Sequence, residues 1–187
     1  MNAMITAIIE DLEQREELQP LLPTQTWNVA LQEQIEELNS LGSSTENLTL
    51  IAALHLRNDS LDISHSYAQQ IEHDITGAYW HGIMHRMEGD YSNAKYWFWQ
   101  ARKHPVMQRV KEKVAEWLEQ NGQATDNRSD EIVQSFQHGG WNSESFTDLV
   151  QMSPKLNEET RQILVHIQAI EIATLFQYTL AAVDNNF

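Results

Sequence analysis

The chain has 187 residues, a length that suits one domain with a core large enough to need no metal or disulfide staple. It contains no cysteine, which excludes disulfide frameworks, thiol catalysis and Cys-type zinc sites. Twenty-seven acidic against 12 basic side chains give a formal charge of −15, which opposes binding to nucleic acid or anionic membrane by long-range repulsion.

The opening M-N-A-M-I-T-A-I-I-E-D-L-E has no basic region, and Glu10 and Asp11 interrupt its apolar positions. Neither a signal peptide nor a membrane span is expected, and a cytoplasmic location is the default. Helical periodicity dominates the rest, with no bounded alternation that would predict a sheet. The first helix is predicted over 3–18, with Ile5, Ile8, Ile9 and Leu12 on one face and Pro20 and Pro23 beyond it. A second runs from Trp27 to Leu41 and stops at Gly42. Ser43 with Glu46 resembles a capping box opening a third, which continues through Leu56. Asp59 is read as the cap of a fourth helix to about His73, and a short 74–76 link leads to a fifth, ending near Gly89. Asp90 caps a sixth up to His104, and the seventh spans Pro105 to Gln120. The basic run R-K-H-P-V-M-Q-R-V-K-E-K there reads as the solvated end of one helix and the start of the next. Residues 122–130 form a candidate mobile loop between two sub-blocks. Short helices over 132–137 and 143–152 flank Gly139-Gly140, and a long last helix from Asn157 has an apolar face wide enough for a central packing helix. The fold class is therefore all-α: a single domain, 1–187, built as an array of helical hairpins.

Residues 62–105 concentrate the unusual chemistry, holding five of the eight histidines and three of the six tryptophans. On the fourth helix Asp62, His65, Gln69 and Glu72 share one stripe. On the fifth, His81, His85 and Glu88 share another. The short link makes the two helices antiparallel neighbours, which pairs Gln69 with His81, His65 with His85 and Asp62 with Glu88. Two imidazole-bearing stripes facing each other are an arrangement from which helical bundles build metal sites. His65, His81 and His85 are the candidate ligands, for zinc, iron or manganese.

The segment G-D-Y-S-N-A-K-Y-W-F-W-Q-A-R-K-H-P resembles the second half of a tetratricopeptide repeat. Gly82 takes the glycine position of the first helix, and Ala94, Phe98 and Ala101 take the packing positions of the second. His81 and His85 then stand where that repeat has leucine and tyrosine, which puts both on the inter-helix seam. No second copy occurs at a 34-residue spacing, so an array is not expected. Residues 62–105 also resemble uncharacterised bacterial and fungal proteins with a motif like L-D-x-S-H followed by Y/F-W-H-x-I-x-H-R-x-E-x-D-x-x-N-A-K-Y-W. Asp62, His65, Trp80, His81, His85, Arg86, Glu88, Asp90, Asn93, Lys95 and Trp97 match it. This resemblance implies a shared fold and site and carries no activity.

Three readings of the polar seam stay open: a metal site, a metal-free ligand pocket, and a complete internal hydrogen-bond network that fixes helix pairing. In an enzymatic version, a hydrolase, Glu88 or Asp62 serves as general base and Arg86 stabilises negative charge. Trp80, Trp97, Asn93, Lys95 and Gln69 are the candidate ligand-binding groups. The partner is accordingly a small molecule, or a protein if the helices form an interaction scaffold.

Overall fold

The computed structural model describes residues 2–121, 127–138 and 141–184, excepting the side chains of 127–129 and 137–138. It is all-α. Among the described residues ten α-helices follow in order: α1 (Ala3–Glu13), α2 (Val29–Glu36), α3 (Thr45–Arg57), α4 (Leu61–Ala68), α5 (Ile75–Glu88), α6 (Tyr91–Gln100), α7 (Val106–Asn121), α8 (Asn127–His138), α9 (Ser143–Met152) and α10 (Glu158–Asp184). No strand occurs among the described residues.

Several helices are shorter than periodicity predicts, because periodicity does not show where a chain tightens. The first ends at Glu13 rather than 18, and the second passes into a 3-10 turn over Glu37–Leu41. The fourth likewise ends at Ala68 in a 3-10 turn over Gln69–Ile71, and the sixth stops at Gln100. The cap of α3 is Ser44, whose hydroxyl accepts from the Asn47 amide, so the predicted box at Ser43 is displaced by one residue. Asp59 is not a cap. It sits in the left-handed region at φ 58°, and its carboxylate is held by Arg15 and by Gln19. Helix α8 begins at Asn127, inside the predicted loop. Residues 122–126 and Gly139-Gly140 lie outside the described residues.

Two helices form the middle of the molecule. Helix α3 is buried from Leu48 to Leu56 and α5 from Gly77 to Met87. Helix α3 pairs with α4, α4 with α5, and α5 with α6, while α10 lies against α3 and α7, and α9 against α6. The α5–α6 hairpin is tight: Gly89, at φ 83°, closes α5, and Asp90 at once caps α6 by accepting from the Asn93 amide. A Cβ on Gly82 would lie 2.7 Å from the Phe98 ring, so glycine sets the approach of these two helices.

Helix α10 has the length and apolarity of a membrane span, yet 56% of its most apolar window is buried inside the protein. It buries Gln168 and Glu171 as well as Ile167, Ile172 and Leu175, as a packing helix does. The segment between α1 and α2 is pinned to the α3–α4 corner. The Trp27 amide donates to the Asn58 carbonyl at 2.9 Å, Asn58 Nδ2 donates to the Asn28 carbonyl at 2.8 Å, and Gln19 Nε2 donates to the Leu56 carbonyl at 2.9 Å.

Candidate metal centre

Asp74 positions the first ligand helix: its carboxylate accepts from the amides of Thr76 and Gly77, starting α5 so that His81 and His85, one turn apart, project together. Their rings are stacked, with centroids 4.8 Å apart and planes 16° from parallel. From α4, His65 meets both, at 4.9 Å from His81 and 4.8 Å from His85. One nitrogen from each ring lies within 4.8 Å of the others, and among the described residues these are the side chains that converge closely enough to hold one ion. At the histidines α4 and α5 face each other as predicted, but Gln69, expected opposite His81, makes no hydrogen bond to it. His65 bridges both imidazoles of α5 instead of pairing with His85 alone.

The rings differ in their surroundings. His85 is 6% exposed, and its Nδ1 lies 3.2 Å from Glu88 Oε2, which leaves Nε2 for an ion. His81 is 1% exposed, and neither of its ring nitrogens has a hydrogen-bond partner among the described residues. A complete internal network would have satisfied it. Instead the Trp97 indole lies flat over the His81 ring, at 4.1 Å and 15°. Burial, with His85 and then His65 adding to it, lowers the His81 pKa to about 3. Burial also lowers that of His85, against the opposing pull of Glu88. Neutral imidazoles are the form that binds metal.

Other predicted site residues fall elsewhere. Arg86 does not face the histidines: it is fully buried on another side of α5, where NH2 donates to Glu171 Oε2 at 2.5 Å and Nε to Gln168 at 3.1 Å. It cannot stabilise charge at the cluster. Trp80 is likewise core, with no exposure and its indole N–H donated to Thr179 at 2.9 Å, so it walls no pocket. Lys95 pairs with Asp148 on α9, Asn93 bonds Asp90 in its own cap, and Gln69 is exposed on the 3-10 turn. None of these three contacts the cluster through a hydrogen bond. Asp62 and Glu88 both line one groove.

Sequence reasoning missed a second buried polar group. Glu171 Oε1 accepts from Tyr79 and Ser143, and Trp141 Nε1 donates to both of those hydroxyls. Its signal was present in the chain as Gln168 and Glu171 inside an otherwise apolar helix.

No protein-family model, curated protein or solved structure compared with the chain matches it.

Proposed function

We propose that the protein binds a transition metal, zinc in the first instance, through His65, His81 and His85, and uses it in a hydrolytic reaction on a small molecule. The observation that carries this reading is the convergence of His81, whose nitrogens are both buried and unbonded, with His65 and His85; His55 is equally unbonded but has no such neighbours. An imidazole with both nitrogens buried and unbonded costs on the order of 1–3 kcal/mol for each unmet group. An ion shared with two neighbouring imidazoles removes that cost for the nitrogen it engages.

The fit is close. Zinc–nitrogen bonds of 2.0–2.1 Å in a tetrahedral shell separate ligand nitrogens by about 3.3 Å, so nitrogens within 4.8 Å of one another need to close by at most about 1.5 Å. Side-chain rotation supplies this. Three imidazoles with no converging carboxylate suit zinc better than iron or manganese, which favour mixed oxygen donors.

A zinc ion with three protein ligands and an open position supplies Lewis-acid activation of water or a carbonyl near neutral pH. The chain's own groups do the rest. Glu88 fixes the orientation of His85, Trp97 shields the His81 ring, and Glu88 Oε1 has no hydrogen-bond partner among the described residues, which makes it the available proton acceptor. The rival reading, a protein-interaction scaffold, draws support from the close α5–α6 packing but leaves His81 unexplained.

The test is elemental analysis of tag-free protein, with about one equivalent of zinc expected. His65→Ala and His85→Gln should each abolish that uptake while keeping the helical circular dichroism of the parent. Protein that takes up no zinc, and whose melting temperature does not respond to zinc or to a chelator, would overturn the reading.

A further inference from the structure

Between residues 23–26 and the first turn of α4 lies a groove of about 490 Å³, within the size range of small-molecule sites. Glu88 lines it, and the same carboxylate holds the His85 ring, so one side chain joins the groove to the histidine cluster.

Three carboxylates and no lysine or arginine line the groove. They are not equivalent. Asp59 is already neutralised, with Arg15 NH1 2.8 Å from Oδ2 and Gln19 Nε2 2.7 Å from Oδ1. Asp62 has no ion-pair or hydrogen-bond partner among the described residues, and Glu88 has only His85. Beside them stand the neutral hydrogen-bonding groups of Thr24, Gln25, Gln32 and Ser60. Two carboxylates without a cation on one small groove, in a chain of formal charge −15, repel anions and favour a positively charged occupant. A bare metal ion is a poor match, because Asp59, Asp62 and Glu88 do not converge as an ion-holding group. A molecule that carries its charge on one part and hydrogen-bonding groups on another matches both halves of the lining.

We infer that this groove binds a small organic cation: a protonated primary amine received by Asp62, with hydroxyl or further amine groups reaching the neutral side chains. Binding of the amine stands on the groove alone. Its role as the substrate presented past Glu88 rests on the zinc reading above.

The experiment is isothermal titration at low ionic strength of the zinc-loaded and the chelated protein with spermidine, with glucosamine, and with glucose as the uncharged analogue. At least one amine should bind, and glucose at least about tenfold more weakly. Asp62→Asn should weaken the amine by about tenfold, the loss of one charge-assisted hydrogen bond, while leaving zinc affinity and melting temperature unchanged. Preference for spermidine assigns a linear polyamine, and preference for glucosamine an amino sugar. The inference is overturned if neither amine binds better than glucose, or if Asp62→Asn leaves amine affinity intact. It is also overturned if the groove takes up a second equivalent of zinc that Asp62→Asn removes. Zinc uptake without amine binding sinks the groove assignment alone. Amine binding with Asp62 dependence but no zinc uptake sinks the metal reading alone.

Discussion

Replacing Glu171 by Gln leaves Arg86 without its counter-charge in a site that water does not reach. Both side chains have no exposure, NH2 of Arg86 lies 2.5 Å from the carboxylate, and its NH1 has no hydrogen-bond partner among the described residues. Besides the Gln168 amide oxygen that accepts from Nε, a neutral group, the guanidinium has the rings of Phe98 and Phe146, at 5.3 and 4.7 Å. Aromatic faces attract a cation by about 1–2 kcal/mol, too little to replace a carboxylate. Removing one partner of a buried pair costs about 3–5 kcal/mol. For a domain of this size each kcal/mol lowers the melting temperature by about 2–4 °C, so the variant should melt roughly 6–20 °C below the parent. Scanning calorimetry measures this directly. The double variant Arg86→Met with Glu171→Leu should recover at least half of the loss, because it removes the charge together with its desolvation. A Glu171→Gln protein melting within about 2 °C of the parent would refute the claim that this pair is desolvated.

Glu88→Gln should weaken zinc affinity about 10–100-fold with little change in fold stability, measured by competition with a chromophoric chelator. His81→Leu should leave the metal-free protein as stable or more stable by about 1–3 kcal/mol in urea unfolding, since two unmet nitrogens disappear, and should abolish the zinc-induced melting shift. Gly82→Ala should destabilise by about 1–3 kcal/mol, because its Cβ meets the Phe98 ring. Burial lowers the pKa of His55 and of His104 to about 4 and of His81 to about 3, so all three are neutral in the folded protein. The unfolded chain takes up their protons below about pH 6.5, and stability therefore falls with acid from there towards pH 4. Chelated protein at pH 5 should lose about 2 kcal/mol for each of the three relative to pH 7.5, read from urea midpoints.

The histidine cluster was legible because spacing alone fixes which residues share a helical face, and a short link fixes which helices oppose. Those two facts bring His65, His81 and His85 together without knowledge of anything else in the chain. Arg86 was misassigned for the same reason that α5 is central. A helix buried from Gly77 to Met87 has no apolar side from which to read direction, so its polar residues could face any neighbour. The partner of Arg86 is Glu171, on α10, and no spacing rule relates two residues so far apart. Asp59 illustrates a third kind of miss: its residue type suits a helix cap, but tertiary bonds to Arg15 and Gln19 hold it in a left-handed corner.

The segment between α1 and α2, tied down at Asn58, Leu56 and Asp59, contributes one wall of the groove and none of the three histidines. If the proposed function holds, recognition and reactivity have separate supports: a draped loop on one side, a packed helix pair on the other. On that reading, substitutions at Thr24, Gln25 or Thr26 would change what is admitted without moving an imidazole, because the segment is bonded to the α3–α4 corner and to Gln168 of α10 rather than to α5. A lineage built on this plan would diversify its ligands through a handful of loop positions and keep its chemistry unchanged.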